Sequence, residues 1–522
     1  MRRPIYSYAF VALACLPVLF LCWQHRDLAH FGQFDDDGIY TVTARALAEG
    51  RGYRIESLPG APLQTKYPPL YPALLAVAWK LSPAPFPGNL PWLLLVQAVV
   101  FLAVVAAAAA WLHANRLPVR LAAFVALSPV SAILSSNLLA DTLFTALTLT
   151  AITFCTKRTR ASAWLAGLLA ALAYLTRTAA LVLLPALVLA ALLARRRDLA
   201  WRVALPQLAA IAAWHIWLAA SLPPHLETVQ FYYLDYARIN AWNLQGLPWT
   251  TLLQKNAEVL LSSLCNLLVF NNSDWPFGHH AARLALFASI AGIVRRWRSK
   301  GPDAMPLFAA ALTALSLVWS YTPNERLLYP LLPLLLAGLW TELSALASMI
   351  AASWRKSSLP NRAAAAVLAS VAAAVLLLSA AGAWTGLTHT IPVHLSSERT
   401  AATHRSALWQ FISKQTRPQT TFLAFNGGAL HLHTGRHYYA LRTPTSFFYK
   451  GDRAGWVGAF SNAASHAQSA RASYILFGAP DYWNDLDPDA NHRVRAALDR
   501  DPRLQPLFTA GPYRIYKLAA SR

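Results

Sequence analysis

The chain has 522 residues, of which 56% are hydrophobic and 13% charged, and its mean hydropathy is +0.37. Soluble domains carry about 25% charged residues, so this composition excludes a soluble multidomain enzyme, and its long apolar runs predict a polytopic α-helical membrane protein. The 45 Lys and Arg against 23 Asp and Glu give a charge of +22, and because many of these cations form short clusters between apolar runs, they indicate cytoplasmic loops and not a nucleic-acid partner.

Apolar runs long enough for membrane spans occur about eleven times along the chain. The first follows Arg2 and Arg3, and we interpret it as a retained helix with a cytoplasmic N-terminus, because no clear cleavage site follows it. The runs cover residues 8–23, 91–112, 121–139, 141–156, 162–176, 179–194, 200–222, 281–294, 305–321, 327–350 and 363–386.

Five basic clusters agree with this count, because a cytoplasmic N-terminus followed by eleven spans places every cluster in the cytoplasm. The clusters are Arg116 with Arg120, 157–160, 195–197, 295–300, and Arg355 with Lys356. The count requires that residues 251–270 do not span. We interpret that segment as an amphipathic helix of an outer loop, because Lys255 and Glu258 interrupt it.

The count also divides the chain into two domains. Residues 1–386 form the transmembrane domain, with long extracytoplasmic loops at 24–90 and 222–280, and residues 387–522 form a small extracytoplasmic α/β domain. The expected location is the cell inner (plasma) membrane. In the tail we expect strands at 421–425, 438–441, 474–477 and 513–518, and helices at 406–414 and 492–498.

Two tail motifs have simple interpretations. Asn426, Gly427 and Gly428 predict a turn. His431 and His433, with His437, would share one face of a strand, and we interpret them as an exposed hairpin in preference to a metal site.

The first outer loop has three adjacent carboxylates, Asp35, Asp36 and Asp37, directly before a helical stretch at 40–49. Carboxylates are favoured at a helix N-terminus. The alternatives are therefore three caps on a surface helix, or a general base or ligand at the membrane surface. The acidic residues lack the alternate spacing of a calcium-binding loop.

The same loop continues with Lys66, followed by Tyr67, Pro68 and Pro69. Proline fixes φ and keeps its predecessor out of the helical region, so this stretch is stiff and extended. A lysine held in this way is either a fixed charge for a phosphate or an interfacial anchor among tyrosines.

Three further ionisable residues are expected on the same side, because they stand at the outer ends of spans. Asp141 opens the fourth span, Arg177 lies between the fifth and sixth, and Arg326 opens the tenth beside Tyr329. Each alone is typical of a helix end, but together with Lys66 and the aspartates they predict a functional cluster.

In this order of features the sequence resembles the GT-C membrane glycosyltransferases that use polyprenyl-phosphate sugars, such as the lipid A aminoarabinose transferases and protein O-mannosyltransferases. The resemblance lies in Asp36-Asp37-Gly38-Ile39-Tyr40 and in Lys66-Tyr67-Pro68-Pro69-Leu70. The sequence departs from the family pattern in two places: Asp37 stands where Glu is usual, and Tyr67 is inserted before the prolines.

The resemblance implies that a sugar is transferred from a polyprenyl-phosphate donor to an acceptor hydroxyl, with inversion, on the extracytoplasmic face. It implies that Asp36 is the general base, whose pKa Asp35, Asp37 and partial burial would raise. The expected catalytic residues are Asp36, Asp37 and Asp141, and the expected residues for the donor phosphate are Lys66, Arg177, Arg326 and Tyr329.

Partners and cofactors follow from the same interpretation. The expected partners are the lipid-linked donor, a lipid, glycan or protein acceptor, and the bilayer. No cofactor is expected, although three adjacent carboxylates leave a divalent metal open. The alternatives are a transporter or flippase of a lipid-linked anion, which would place ionisable residues within paired spans, and a membrane scaffold.

Overall fold

The computed structural model describes residues 2–356, 359–424, 427–478 and 488–519. Five helices in these ranges are long and apolar enough to cross a membrane: Ile5–Gln24, Leu90–Ala114, Arg197–Ser221, Glu325–Ala352 and Ala363–Gln415. Five shorter helices are also apolar: Leu70–Leu81, Asp141–Thr156, Arg160–Thr176, Thr178–Leu193 and Ala304–Val318. A mostly helical architecture with several apolar helices is thereby confirmed, whereas the expected number of eleven spans stays a prediction.

Further helices complete the body of the protein and connect the apolar ones. They are Asp35–Ala48, Ala122–Ala126, Pro129–Ser135, Thr228–Leu234, Tyr236–Leu244, Trp249–Leu268 and Gly278–Lys300. The helix Trp249–Leu268 covers the segment that we expected to be amphipathic. It is not among the apolar helices of spanning length, and Asn256 on it donates hydrogen bonds to the carbonyls of Leu317 and Trp319.

The expected span at 121–139 is not one helix. A helix Ala122–Ala126 ends before Ser128, and a second helix, Pro129–Ser135, begins directly after it. Pro129 has no N–H and pushes Ser128 into the extended region, where its ψ is 130°. Neither piece has the roughly 20 residues that a bilayer crossing requires.

The last long helix continues into the tail. It runs through Leu359–Thr385, a π-helical turn at Gly386–Thr390, and Ile391–Gln415. The predicted domain boundary at residue 386 therefore falls within a continuous helical rod, at its π turn, and not in a linker.

A five-stranded sheet follows this rod. The strands are β1 (Thr421–Ala424), β2 (His437–Tyr439), β3 (Tyr474–Gly478), β4 (Leu504–Ala510) and β5 (Tyr513–Leu518), in the order β2-β1-β3-β5-β4. β1 pairs in parallel with β2 and β3, and β5 pairs antiparallel with β3 and β4. The helices of this region are Gly427–Thr434, Ser446–Lys450, Arg453–Ser461, Ala463–Ser469 and Pro488–Arg500. The small α/β part of the tail is present.

The expected histidine strand is wrong, because residues 427–434 form a helix. On it, His431 contacts the carbonyl of Arg436 through Nδ1 at 3.0 Å, and His433 stacks on Trp409. Gly427 and Gly428 belong to this helix and not to a turn, whereas Asn426 lies outside the described residues.

The tail packs directly on the first loop. Gly428 on its helix faces Gly38 on the helix Asp35–Ala48, and a Cβ added at Gly428 would lie 2.6 Å from the Cα of Gly38. The amide of Tyr438 donates to the carbonyl of Ser57 at 2.9 Å. The two parts thus meet backbone to backbone, next to the three aspartates.

Candidate active site

The three adjacent aspartates occupy the first turn of the helix Asp35–Ala48, where the helix dipole favours negative charge. Successive residues on a helix are rotated by about 100°, so the three carboxylates point to different partners. Asp35 accepts a hydrogen bond from Arg442 of the tail at 2.6 Å. Asp37 accepts hydrogen bonds from the amides of Gly32 at 2.9 Å and Gly38 at 2.7 Å, so it fixes the loop that enters the helix.

Asp36 faces the body of the protein. Its Oδ2 lies 3.0 Å from Nη2 of Arg326, and its Oδ1 accepts a hydrogen bond from the hydroxyl of Tyr67. A quarter of the Asp36 side chain stays accessible. Of the three aspartates, Asp36 is the one that contacts a cation and also keeps a substantial part of its side chain accessible.

A second carboxylate completes the network. Asp141 begins the helix Asp141–Thr156, and its side chain is only 1% exposed. Its Oδ2 lies 3.1 Å from Nη2 of Arg326, and its Oδ1 forms an ion pair with Arg177. Arg326 therefore bridges the carboxylates of Asp36 and Asp141, and Arg177 forms a second ion pair with Asp141.

The Lys66 loop is fixed by a buried side chain, Gln64. Its Oε1 accepts hydrogen bonds from the amides of Lys66 at 3.0 Å and Tyr67 at 3.3 Å. Its Nε2 donates to Oγ1 of Thr43, on the same helix as Asp36, at 3.1 Å. These bonds tie the extended lysine segment to the aspartate helix, so Lys66 and Asp36 are held in a fixed relation.

The Lys66 ammonium group is buried, and within the described part of the chain it forms no direct ion pair. Its Nζ lies 3.2 Å from the centre of the Tyr232 ring and 4.7 Å from that of Tyr67, and among the described residues it has no hydrogen-bond partner. Burial lowers the pKa of Lys66 to about 7, although the charges of Asp36 and Asp35 oppose that shift. An unsatisfied buried cation of this kind is suited to receive an anion.

The surroundings of Asp36 and Asp37 shift the pKa values of these two carboxyl groups in opposite directions. Burial alone would raise the pKa of Asp36, but the charges of Arg326 and Lys66 outweigh it and hold this pKa below its usual value. Burial raises the pKa of Asp37 well above its usual value, and the charges of Asp36 and Asp35 add to this shift, while the hydrogen bonds from two backbone amides oppose it. The expectation of a raised pKa for Asp36 is therefore wrong, because cations that are distant in the sequence but close in the structure outweigh its acidic sequence neighbours.

A small cavity of about 80 Å³ lies between these groups, and Asp36, Lys66, Tyr67 and Arg177 contribute to its wall. Two cations, Lys66 and Arg177, and one carboxylate, Asp36, belong to its wall. One positive charge is left over. The cavity thus combines an ionised carboxylate with an excess of positive charge, which fits a reaction in which a hydroxyl loses a proton and a phosphate leaves.

Tyr329, which was expected to bind the donor phosphate, makes a different contact in the structure. Tyr329 is 1% exposed, and its hydroxyl lies 2.5 Å from Oγ of Ser131 on the helix Pro129–Ser135, so its hydrogen bond is made away from the carboxylates. Over the described ranges, no three His, Cys, Asp or Glu side chains converge as metal ligands do. The divergence of Asp35, Asp36 and Asp37 on the helix explains this result.

Three contacts of the site are not apparent from the sequence. Tyr67, the residue inserted before the prolines, donates to Asp36, and Tyr232 lies between the Lys66 ammonium and the Arg442 guanidinium. Arg442 comes from the tail, 407 residues after Asp35. The position of Tyr67 as an extra residue before the prolines could have indicated a role at the site, whereas no local pattern distinguishes Arg442 from the other arginines.

Known structures share this fold, although the sequence itself matches no family model and no curated protein. The crystal structure of ArnT from Cupriavidus metallidurans bound to undecaprenyl phosphate is similar with a TM-score of 0.55 and 15% identity, over 99% of this chain and 98% of that one. Archaeal oligosaccharyltransferase AglB from Archaeoglobus fulgidus, in complex with an inhibitory peptide and a dolichol-phosphate, gives 0.51 and 14%, over 91% and 69%. The chain shares the fold of both structures.

Proposed function

We propose that the protein is an integral membrane glycosyltransferase that transfers a sugar from a polyprenyl-phosphate donor to an acceptor hydroxyl on the extracytoplasmic face. The observation that carries the proposal is the Lys66 ammonium, buried without a hydrogen-bond partner among the described residues and held next to the ionised Asp36. The GT-C fold supports it, since similar structures hold undecaprenyl phosphate and dolichol-phosphate.

In the proposed reaction Asp36 is the general base. The acceptor hydroxyl gives its proton to the Asp36 carboxylate, and its oxygen forms a bond with the anomeric carbon of the sugar. The bond between that carbon and the phosphate oxygen breaks, and its electron pair stays on the lipid phosphate. One displacement inverts the anomeric configuration, so no second carboxylate nucleophile is required.

The cations have two roles in this proposal. The donor is a phosphodiester with one negative charge, which matches the single excess positive charge of the site. During transfer the leaving phosphate gains a second charge, and Lys66 is placed to stabilise it, with Arg326 and Arg177 as further cations. Asp141 positions both arginines, because it forms ion pairs with each of them.

Donor binding would also activate the base. In the structure Arg326 holds the pKa of Asp36 low, and a carboxylate of low pKa is a weak base. A phosphate that takes over part of the hydrogen bonding of Arg326, and whose charge offsets that of Lys66, weakens the effect of both cations on Asp36. The pKa of Asp36 would then rise in the donor complex, where a stronger base is needed.

The test is a transfer assay. Membranes containing the protein are incubated with radiolabelled undecaprenyl-phosphate sugars, and label is followed into acceptor while binding of undecaprenyl phosphate is measured separately. Asp36→Asn should lower transfer by about 100-fold or more, the range of general-base catalysis, and should retain lipid binding. Asp274→Asn, an exposed aspartate of the loop at 222–280, is the matched control.

Full transfer activity in Asp36→Asn would contradict the proposed base. Movement of the lipid-linked sugar across the bilayer, without label reaching any acceptor, would instead support the transporter alternative.

A further inference from the structure

A second, larger cavity lies at the other end of the helices that carry the site. The helix Asp141–Thr156 begins at the carboxylate network and ends with Cys155 and Thr156 in the wall of this cavity. Sixteen residues at about 1.5 Å each separate the two ends by about 24 Å. The cavity therefore opens on the face of the helical body opposite to the candidate active site, and its volume is about 500 Å³.

The wall of this cavity is strongly basic. Five cations line it: Arg116, Arg158, Arg196, Arg296 and Lys300. They come from four of the five basic clusters that the sequence places in the cytoplasm. Among the described wall residues the one carboxylate is Asp303, which caps the helix that follows it by accepting from the amide of Met305. Positive charge thus exceeds negative charge by four.

Two of these arginines are uncommitted. Arg296 and Lys300 donate to the carbonyl of Asn115, at 2.8 and 3.0 Å, and Arg196 pairs with Asp198. The guanidinium groups of Arg116 and Arg158 make no hydrogen bond or ion pair within the described parts of the chain.

Both uncommitted arginines also occupy left-handed backbone. Their φ angles are 56° for Arg116 and 53° for Arg158, directly after the ends of two helices, a position that favours glycine. Arginine at such a position carries a backbone cost, but Arg195, which lies outside the cavity, shares it, so the unpartnered guanidinium groups and not the backbone indicate a ligand.

The rest of the wall suits an amphiphilic anion. The helices Arg160–Thr176 and Ala304–Val318 begin at the cavity, so their positive dipole ends add to the basic charge. The uncharged part of the wall combines polar residues, such as Asn115 and Thr156, with apolar ones, such as Trp111, Leu334 and Ala337. A phosphate at the arginines would place an attached hydrocarbon segment along the apolar side chains.

We propose that this cavity binds a phosphate group, carried by an anionic lipid headgroup or by a free phosphate compound, on the membrane face opposite to the candidate active site. The proposal is independent of the proposed glycosyl transfer, because none of the residues of the cavity belongs to the carboxylate network.

The experiment measures thermal unfolding of the full-length protein in detergent. It is titrated in three arms with dioctanoyl-phosphatidylglycerol, with dioctanoyl-phosphatidylcholine, and with inorganic phosphate. Anionic probes should raise the Tm of the wild type. The double variant Arg116→Ala/Arg158→Ala should bind them about tenfold or more weakly, since two charge-assisted contacts are removed. The folded state should survive, because both side chains are exposed and unpartnered among the described residues.

The matched control is Arg195→Ala/Arg298→Ala. It removes the same charge from the same face, Arg195 has the same left-handed backbone (φ 57°), and neither residue lines the cavity. A Tm shift with phosphatidylglycerol alone identifies a lipid headgroup, and a shift with inorganic phosphate identifies a site open to free phosphate. The proposal is overturned if neither anion raises the wild-type Tm, if the cavity variant responds like the wild type, or if the control loses the response equally.

Discussion

We predict that the efficiency of donor use falls as the pH rises through 7, because burial lowers the pKa of Lys66 to about that value. Its pKa of about 7 in the donor-free protein lies far below that of an exposed lysine, because the ammonium group is buried. The charged form, which a phosphodiester requires, therefore predominates below pH 7 and is lost as the pH rises through that value. Asp36 stays ionised over this range, since its pKa is held below the usual value.

The size of the effect follows from the charged fraction. With a pKa of about 7, the charged fraction of Lys66 falls from about 90% at pH 6 to about 9% at pH 8, so kcat/KM for the donor should fall about tenfold. The polyprenyl-phosphate sugar does not titrate here, because a phosphodiester keeps one negative charge. The profile should consist of one descending limb.

The assay is initial-rate transfer from the undecaprenyl-phosphate sugar that proves active, at pH values from 6 to 8. Lys66→Arg keeps its charge throughout and should give a flat profile, whereas Lys66→Gln should be weak at every pH. A flat wild-type profile, or a parallel fall in Lys66→Arg, would show that the lysine charge does not govern donor binding.

Two further predictions concern the contact between the tail and the aspartate helix. Asp35→Asn and Arg442→Gln should each destabilise the protein, and the double variant should lose less than the sum, with a coupling of about 1–3 kcal/mol in unfolding measurements; strict additivity would mean that the ion pair contributes nothing. Gly428→Ala should lower stability by about 1–3 kcal/mol and reduce transfer, because its Cβ would lie 2.6 Å from the backbone of Gly38. Gly458→Ala, whose Cβ meets nothing within 4 Å, is the control, and equal effects of the two variants would refute the close-contact argument.

The sequence predicts features that depend on local pattern. Apolar runs predict most of the long helices, and the four strands expected in the tail all occur. Strand β4 escapes prediction because Pro506 interrupts its pattern; proline is tolerated there since β4 lies at the edge of the sheet, with a bulge next to it. The helix at 427–434 escapes because alternating histidines resemble a strand.

For the candidate site, the limit is tertiary contact. Asp36 and Lys66 are apparent because they share one loop with distinctive neighbours. The direction of the pKa shift at Asp36 is not apparent. The sequence shows the acidic neighbours of Asp36, but it does not show that Arg326, 290 residues away, contacts it. Arg442 is missed for the same reason.

The ion pair between Asp35 and Arg442 has a consequence for biosynthesis. Asp35 is 5% exposed at its side chain, and its partner is synthesised 407 residues later. A ribosome releases Arg442 only when nearly the whole polypeptide has been made, so the membrane helices insert while this buried carboxylate still lacks its counter-charge. Translation products that stop before residue 442 therefore leave Asp35 uncompensated, and the tail can dock onto the aspartate helix through this ion pair only after Arg442 has been synthesised.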